Sequence, residues 1–191
     1  MKLHADARIP FPREVVFAVF RDELDKLVPF LPSVRSIAIT AREERGGVVD
    51  NVIEWRVGAN IPGPLRTVIS ESMLSWTDYA TWDAATLTCD WHTETNAFAE
   101  AVRCGAHDRF LEDGPGKTLL EIRGVLEVDG SKIRGVPAMF ARRVGRSMEA
   151  FLVEKIGSDL VKTADGLARY LARGQRLIET ECSPAPSVAR R

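Results

Sequence analysis

The sequence has few of the residues that build disulfide-linked or metal-bound scaffolds. Its 191 residues include three cysteines, Cys89, Cys104 and Cys182, and only three histidines. An odd number of widely spaced cysteines is not typical of a disulfide framework, and no cysteine–histidine cluster has the spacing of a zinc site. We therefore expect free thiols that pack as small buried apolar groups, with no bound metal and no cofactor.

Long apolar runs and an excess of charge of one sign are also missing. No run approaches the ~18 apolar residues of a transmembrane helix, and MKLHADARIPFP at the start lacks the apolar core of a signal peptide. These absences predict a reduced, cytoplasmic location. The 26 basic and 27 acidic residues give a net charge of -1, which argues against a nucleic-acid partner. The oligomeric state is left open.

The length fits one domain of ordinary size. We expect that domain to cover residues 1–175. The remaining residues, 176–191, include the polar, proline-bearing stretch SPAPSVARR and are predicted to form a short disordered tail.

Alternation of apolar and polar residues predicts a sheet over most of the chain. Residues 2–9 alternate with a period of two, which indicates a half-buried strand. Residues 34–57 return to this period, with Gly46 and Gly47 as a turn. Further strands are expected at 65–73, 76–82, 86–94, 100–111 and 117–128. Consecutive strands joined by short turns favour an antiparallel meander.

Two segments have helical spacing instead. After Pro10 and Pro12, apolar residues from Val15 to Val28 predict one helix or a bent pair. From Pro137, steps of three and four over more than thirty residues predict a long amphipathic helix. Three glycines lie inside it, Gly145, Gly157 and Gly166, and each either permits a close approach, marks a bend or is simply tolerated.

The order of these elements predicts an α+β protein of the helix-grip type. A curved antiparallel sheet of six to seven strands would wrap around the long C-terminal helix, with a short helical segment after the first strand. The opening residues also resemble the START-like (SRPBCC) superfamily, whose members begin with a strand, a P-x-x-V-F helix start and a P-x-V entry to the second strand. The matching residues are Pro12, Val15 or Val16, Phe17, Pro32 and Val34.

The resemblance implies a cavity between sheet and helix that holds lipids, polyketides or other apolar molecules. Some members of the superfamily are aromatase/cyclases or hydrolytic enzymes and many are carriers, so the fold alone does not choose among these activities.

Strand parity and helix spacing suggest which side chains would face such a cavity. Tryptophans on the apolar side of their strands are candidates for its wall, and polar residues with the same parity are candidates for contact with a ligand head group. The predicted ligand-binding residues are Asn51, Trp55, Asp78, Trp91, Thr93, Asp108, Met148, Phe151 and Leu152. The three histidines, His4, His92 and His107, are expected to point outward. No spacing of carboxylates or cysteines indicates a catalytic pair.

One segment has an unusual charge pattern. Residues 132–146, KIRGVPAMFARRVGR, contain five basic residues and no acidic one: Lys132, Arg134, Arg142, Arg143 and Arg146. Basic and apolar residues in alternation are typical of segments that contact an anionic membrane. We therefore expect transient membrane docking here, against the simpler interpretation of a solvated helix face.

The sequence leaves three function classes open. The first is binding or transfer of an apolar small molecule, lipid-like or polyketide-like, and it is favoured because no catalytic constellation is visible. The second is a cyclase- or hydrolase-type enzyme that acts on a bound apolar substrate. The third is a regulator whose groove holds a protein partner.

Overall fold

A computed structural model describes residues 1–58, 61, 63, 66 and 70–181. Seven strands are present in these ranges: β1 (Lys2–Ile9), β2 (Val34–Arg45), β3 (Val48–Val57), β4 (Ser75–Asp83), β5 (Thr88–Thr95), β6 (Val102–Glu112) and β7 (Thr118–Val128). The helices are α1 (Arg13–Asp22) and α2 (Ala138–Glu181), with 3₁₀ helices at Leu24–Phe30, Glu71–Met73 and Gly130–Lys132. Of the tail predicted at 176–191, residues 176–181 belong to α2, and residues 182–191 lie outside the described residues.

All strand pairs are antiparallel, and the sheet order is β1-β7-β6-β5-β4-β3-β2. The meander from β2 to β7 follows the chain, and β1 closes the sheet by pairing with β7. Two register shifts interrupt the pairing of β2 with β3, and such bulges bend a strand. The sheet is open and curved, and α2 covers its inner face, so the predicted helix-grip architecture is confirmed.

The strand predicted at 65–73 is wrong where the structure describes it. Glu71–Met73 form a 3₁₀ helix, in which local hydrogen bonds replace a strand ladder. The physical reason is the end of β3 at Val57, after which no described strand is available to pair with residues that precede Ser75. Residues 65 and 67–69 of the predicted strand lie outside the described residues.

The helical segment after β1 is bent, which is one of the two forms that its spacing predicted. α1 ends at Asp22, and the chain continues as the 3₁₀ helix Leu24–Phe30. These two helices bury apolar side chains against the inner face of the sheet, among them Val16, Phe17 and Leu27. The segment therefore covers the part of the sheet that α2 leaves open.

The long helix packs closely at two of the three glycines singled out in its sequence. A Cβ at Gly145 would lie 2.6 Å from the carbonyl oxygen of Val128, and one at Gly166 would lie 2.8 Å from Leu31 Cδ2 and 3.0 Å from the carbonyl oxygen of Phe30. No described atom lies within 4 Å of a Cβ built at Gly157. Gly145 and Gly166 therefore permit close approach, whereas Gly157 is only tolerated.

We expect Gly145→Ala to lower the free energy of unfolding by roughly 1–3 kcal/mol, because the added methyl group collides with backbone and overpacking is costly. Gly157→Ala is the matched control, since it meets no described neighbour and removes a residue that costs a helix up to ~1 kcal/mol. Urea denaturation followed by circular dichroism measures both. Equal stability of the two variants would contradict the packing described for Gly145.

Candidate functional site: a tryptophan-lined cavity

A cavity of ≈ 270 Å³ lies between the inner face of the sheet, the 3₁₀ helix Leu24–Phe30 with the residues after it, and α2. Its wall is mainly apolar. All four tryptophans of the chain line it: Trp55, Trp76, Trp82 and Trp91. The rings of Trp55 and Trp76, on neighbouring strands, are stacked with centroids 5.9 Å apart. Alternation along β3, β4 and β5 places these rings on one face because successive side chains point to opposite sides of a strand.

Most of the residues predicted to bind a ligand face this cavity. Trp55, Asp78, Trp91, Thr93, Asp108, Phe151 and Leu152 all line it. The structure thus brings together side chains from five elements that are far apart in sequence. Two further predicted residues, Asn51 and Met148, lie outside this lining.

Asn51 and Met148 are buried in other surroundings. The Asn51 side chain is 1% exposed, and its Nδ2 donates to the carbonyl oxygen of Arg21 at 2.8 Å. This bond ties β3 to the last turn of α1. Met148 packs in a second apolar cluster with Val128 and Ile133, near the start of α2. Strand parity correctly predicted that Asn51 is buried, and helix spacing did the same for Met148. Both residues lie where neighbouring side chains already fill the interior.

Asp78 is held in the cavity wall by two donors from the same sheet. Thr93 Oγ1 donates to Oδ1 at 2.5 Å, and Trp76 Nε1 donates to Oδ2 at 3.1 Å. Burial raises the pKa of Asp78 to about 6, because desolvation outweighs these hydrogen bonds. The Trp55 N–H also acts to lower this pKa, although its geometry falls short of a hydrogen bond.

Asp108 is the second carboxyl group of the wall. Trp91 Nε1 donates to its Oδ1 at 2.9 Å. Burial raises the pKa of Asp108 to about 7, and the negative charges of Asp78 and Asp90 add to the increase beyond what the Trp91 bond offsets. A carboxyl group with this pKa is partly protonated at neutral pH, so it can donate or accept a hydrogen bond there.

The two cysteines of the lining are thiols and not thiolates. Burial raises the pKa of Cys104 to about 12 and raises that of Cys89 as well. Because the thiolate is the nucleophilic form, these environments suppress reactivity. The sequence prediction of a free, buried cysteine is confirmed at Cys89, whereas Cys104 is free but only partly buried.

Strand parity and helix spacing did not reveal the polar edge of the cavity. Lys155, Asp159 and Lys162 on α2 line it, and Ser33 faces them from the residues before β2. Asp159 forms ion pairs with both lysines, and Ser33 Oγ donates to Asp159 Oδ1 at 3.4 Å. Lys162 is 48% exposed, so the cavity reaches solvent at this edge. The charge cluster DLVK is visible in the sequence, but only the packing of α2 shows that it borders a cavity.

The histidines lie on the outer face of the sheet, as their parity predicted. His107 Nδ1 is 2.7 Å from Asp90 Oδ1, and the His92 ring stacks on Tyr79 with centroids 4.9 Å apart. Among the described residues, no group of three or more His, Cys, Asp or Glu side chains is arranged to hold a metal ion.

The basic segment 132–146 begins at the last residue of the 3₁₀ helix Gly130–Lys132 and continues into the first turns of α2. Its five basic side chains, Lys132, Arg134, Arg142, Arg143 and Arg146, are exposed and form no ion pair with the residues that the structure describes. Met139 and Phe140 lie among them and are 81% and 49% exposed. No described helix combines the length and the hydropathy needed to span a bilayer.

Comparison with known proteins supports the fold assignment. A protein of Thermus thermophilus, TTHA0849, is 20% identical with a TM-score of 0.65, over 89% of this chain and 99% of that one. The Zhui aromatase/cyclase from Streptomyces sp. R1128 is 17% identical with a TM-score of 0.63, over 88% and 93%. The 18 kDa protein CC1736 from Caulobacter crescentus is 16% identical with a TM-score of 0.54, over 90% and 98%.

These likenesses show that the chain has the helix-grip fold. No family model and no curated protein matches the sequence. At such identities the likeness extends to the arrangement of strands and helices, and the activity has to be argued from the cavity itself.

The two aspartates predict an unusual dependence of stability on pH. Their folded pKa values lie above the ordinary 3.8, so the folded state binds more protons than the unfolded state between about pH 4 and 7. Their contribution to stability is therefore lost as pH rises through that window. At pH 8 the free energy of unfolding of Asp108→Asn should exceed that of wild type by on the order of 2 kcal/mol. The difference should be smaller at pH 5.

Urea denaturation at the two pH values measures this difference. Glu54→Gln is the control and should show little difference at either pH, because Glu54 is exposed on the outer face of β3 and has no hydrogen bond or ion pair with the residues that the structure describes. An Asp108→Asn variant that is less stable than wild type at pH 8 would contradict the desolvation described for Asp108.

Proposed function

We propose that the protein binds an apolar small molecule, lipid-like or polyketide-like, in the cavity between its sheet and α2, and that it does so in the cytoplasm. The observation that carries this proposal is the cavity itself, which four tryptophans wall and only a few polar side chains enter. Ligand sites are typically concave and apolar with a small number of placed polar groups. Its volume of ≈ 270 Å³ lies just below the ~300–1,000 Å³ range of such sites.

The other two function classes are supported less well. A regulator that holds a protein partner in its groove would have a filled interior beneath an apolar surface patch, and the cavity argues against that arrangement. An enzyme of the cyclase type is supported by the likeness to an aromatase/cyclase and by Asp108, whose pKa of about 7 suits proton transfer. Under that alternative, Asp108→Asn would abolish turnover in a protein that still folds.

The binding proposal predicts that filling the cavity removes binding. Cys104→Phe places a ring in the space between the tryptophans, so the affinity for the neutral dye N-phenyl-1-naphthylamine should fall at least tenfold. Val125→Phe is the matched control, because it adds a ring on the outer face of the neighbouring strand, where Val125 is 55% exposed. Dye fluorescence at constant protein concentration measures both affinities.

Equal dye binding by wild type and Cys104→Phe would contradict the proposed site. Native mass spectrometry of the freshly purified protein gives an independent measurement. A carrier should retain an apolar molecule, which the Cys104→Phe variant should lack.

For ligand exchange, we propose that residues 132–146 dock on an anionic membrane. Five basic side chains that have no ion-pair partner among the described residues surround two exposed apolar ones, Met139 and Phe140. Such a surface gains from anionic head groups by charge and from the acyl boundary by apolar burial. The segment leads directly into the helix that covers the cavity, so docking would bring that helix to the source of a lipid-like ligand.

Docking predicts that a variant with Arg142, Arg143 and Arg146 changed to glutamate loses co-sedimentation with vesicles that contain one third phosphatidylserine. The control carries the same change of charge at Arg8, Arg13 and Lys117, which lie toward the opposite end of β7. Wild type and control should sediment alike in low salt and be released in high salt, because exposed charges are screened. Equal sedimentation of the Arg142 variant and wild type would contradict docking.

A further inference from the structure

We infer that the cavity selects an apolar ligand that carries a protonated amine, held among the tryptophans by the carboxyl group of Asp108 or of Asp78. This inference rests on the proposed binding function and specifies the chemistry of the ligand.

The charges that line the cavity are the first argument. Asp78 and Asp108 project from β4 and β6 into the wall formed by the sheet. Among the described lining residues the cations are Lys155 and Lys162, on α2, and both form ion pairs with Asp159. Within this described lining, the two aspartates of the sheet therefore face the cavity with no cation of their own. A ligand that brings a positive charge supplies what the wall lacks.

The hydrogen bonds of the two aspartates leave room for such a partner. A carboxylate offers about four acceptor sites. Asp108 receives one described bond, from Trp91, and Asp78 receives two, from Thr93 and Trp76. Within the described part of the chain, Asp108 Oδ2 has no donor. Neutral indole and hydroxyl donors satisfy part of a carboxylate, but they do not balance its charge in a desolvated site.

The aromatic wall favours the same class of ligand. An organic cation is attracted to the face of an aromatic ring, and tryptophan is the strongest of the side chains in this respect. Every tryptophan of the chain lines the cavity that contains both aspartates. Indole rings beside carboxylates suit an ammonium group, whereas a carboxylate placed next to Asp78 or Asp108 would meet like charge.

Ligands with amine, hydroxyl and carboxylate head groups would interact differently with Asp78 and Asp108. A hydroxyl group can donate one hydrogen bond to Asp108 but brings no charge, whereas an ammonium group adds the Coulomb attraction of a full positive charge to the ionised carboxylate. A carboxylate ligand at pH 8 would be repelled by both aspartates, which are ionised above their pKa values of about 6 and 7. The order of affinity at that pH should be amine, then alcohol, then carboxylate.

Three probes with the same chain test this order: octylamine, octan-1-ol and octanoate, each titrated into the full-length protein at pH 8 by calorimetry. We expect octylamine to bind at least tenfold more tightly than octan-1-ol, and octanoate to bind most weakly. In Asp78→Asn/Asp108→Asn the preference for the amine over the alcohol should fall to within threefold. Glu54→Gln, a control on the exposed outer face of β3, should retain the wild-type preference. Circular dichroism establishes that each variant is folded.

Each outcome decides a different question. If octan-1-ol or octanoate binds as tightly as octylamine, or if the double variant retains the amine preference, the inference is overturned while the proposed binding function stands. If none of the three probes binds, the proposed function fails together with the inference. Loss of the amine preference in the double variant with unchanged binding of octan-1-ol supports both.

Discussion

The inner face of the seven-stranded sheet is larger than the area that α2 and the bent helical segment cover. The rest of the structure depends on this difference in area. The strands alternate apolar side chains inward along their length, and α2 contacts only part of that surface. Tryptophan rings occupy much of what remains, yet they leave ≈ 270 Å³ between sheet and helix. Protein interiors are normally packed without such gaps. The cavity is therefore a consequence of the architecture and not a local defect.

The polar side chains in the cavity oppose folding and favour binding. Burying a carboxyl group costs free energy because its charged form loses hydration. Asp78 and Asp108 recover part of that cost through Thr93, Trp76 and Trp91, and their raised pKa values show that the recovery is incomplete. A carboxyl group whose burial costs free energy in the empty protein is the group that is stabilised most when a ligand of complementary charge binds.

Much of this arrangement could be predicted from local sequence patterns, and the rest depends on tertiary contacts. Period-two alternation placed Asp78, Thr93 and Asp108 on the inner face, and the same parity could also have found Trp76 and Trp82. Asn51 shows the limit of parity, because it points inward but donates to Arg21 at the end of α1. The strand expected at 65–73 failed over Glu71–Met73 because pairing requires a partner strand, and β3 ends at Val57. Lys155 and Asp159 border the cavity only through the packing of α2.

Two close contacts, at Gly145 and Gly166, support the part of α2 that covers the cavity. The helix rests on the end of β7 at Gly145 and on Phe30 and Leu31 at Gly166. Between these supports lie Phe151, Leu152 and Ile156, which line the cavity, and Gly157, which has open space beside it in the described part of the chain. Because no described atom lies within 4 Å of a Cβ at Gly157, a bend in this span would widen the cavity while the contacts at Gly145 and Gly166 hold. Opening of this kind would not require the helix to separate from the sheet.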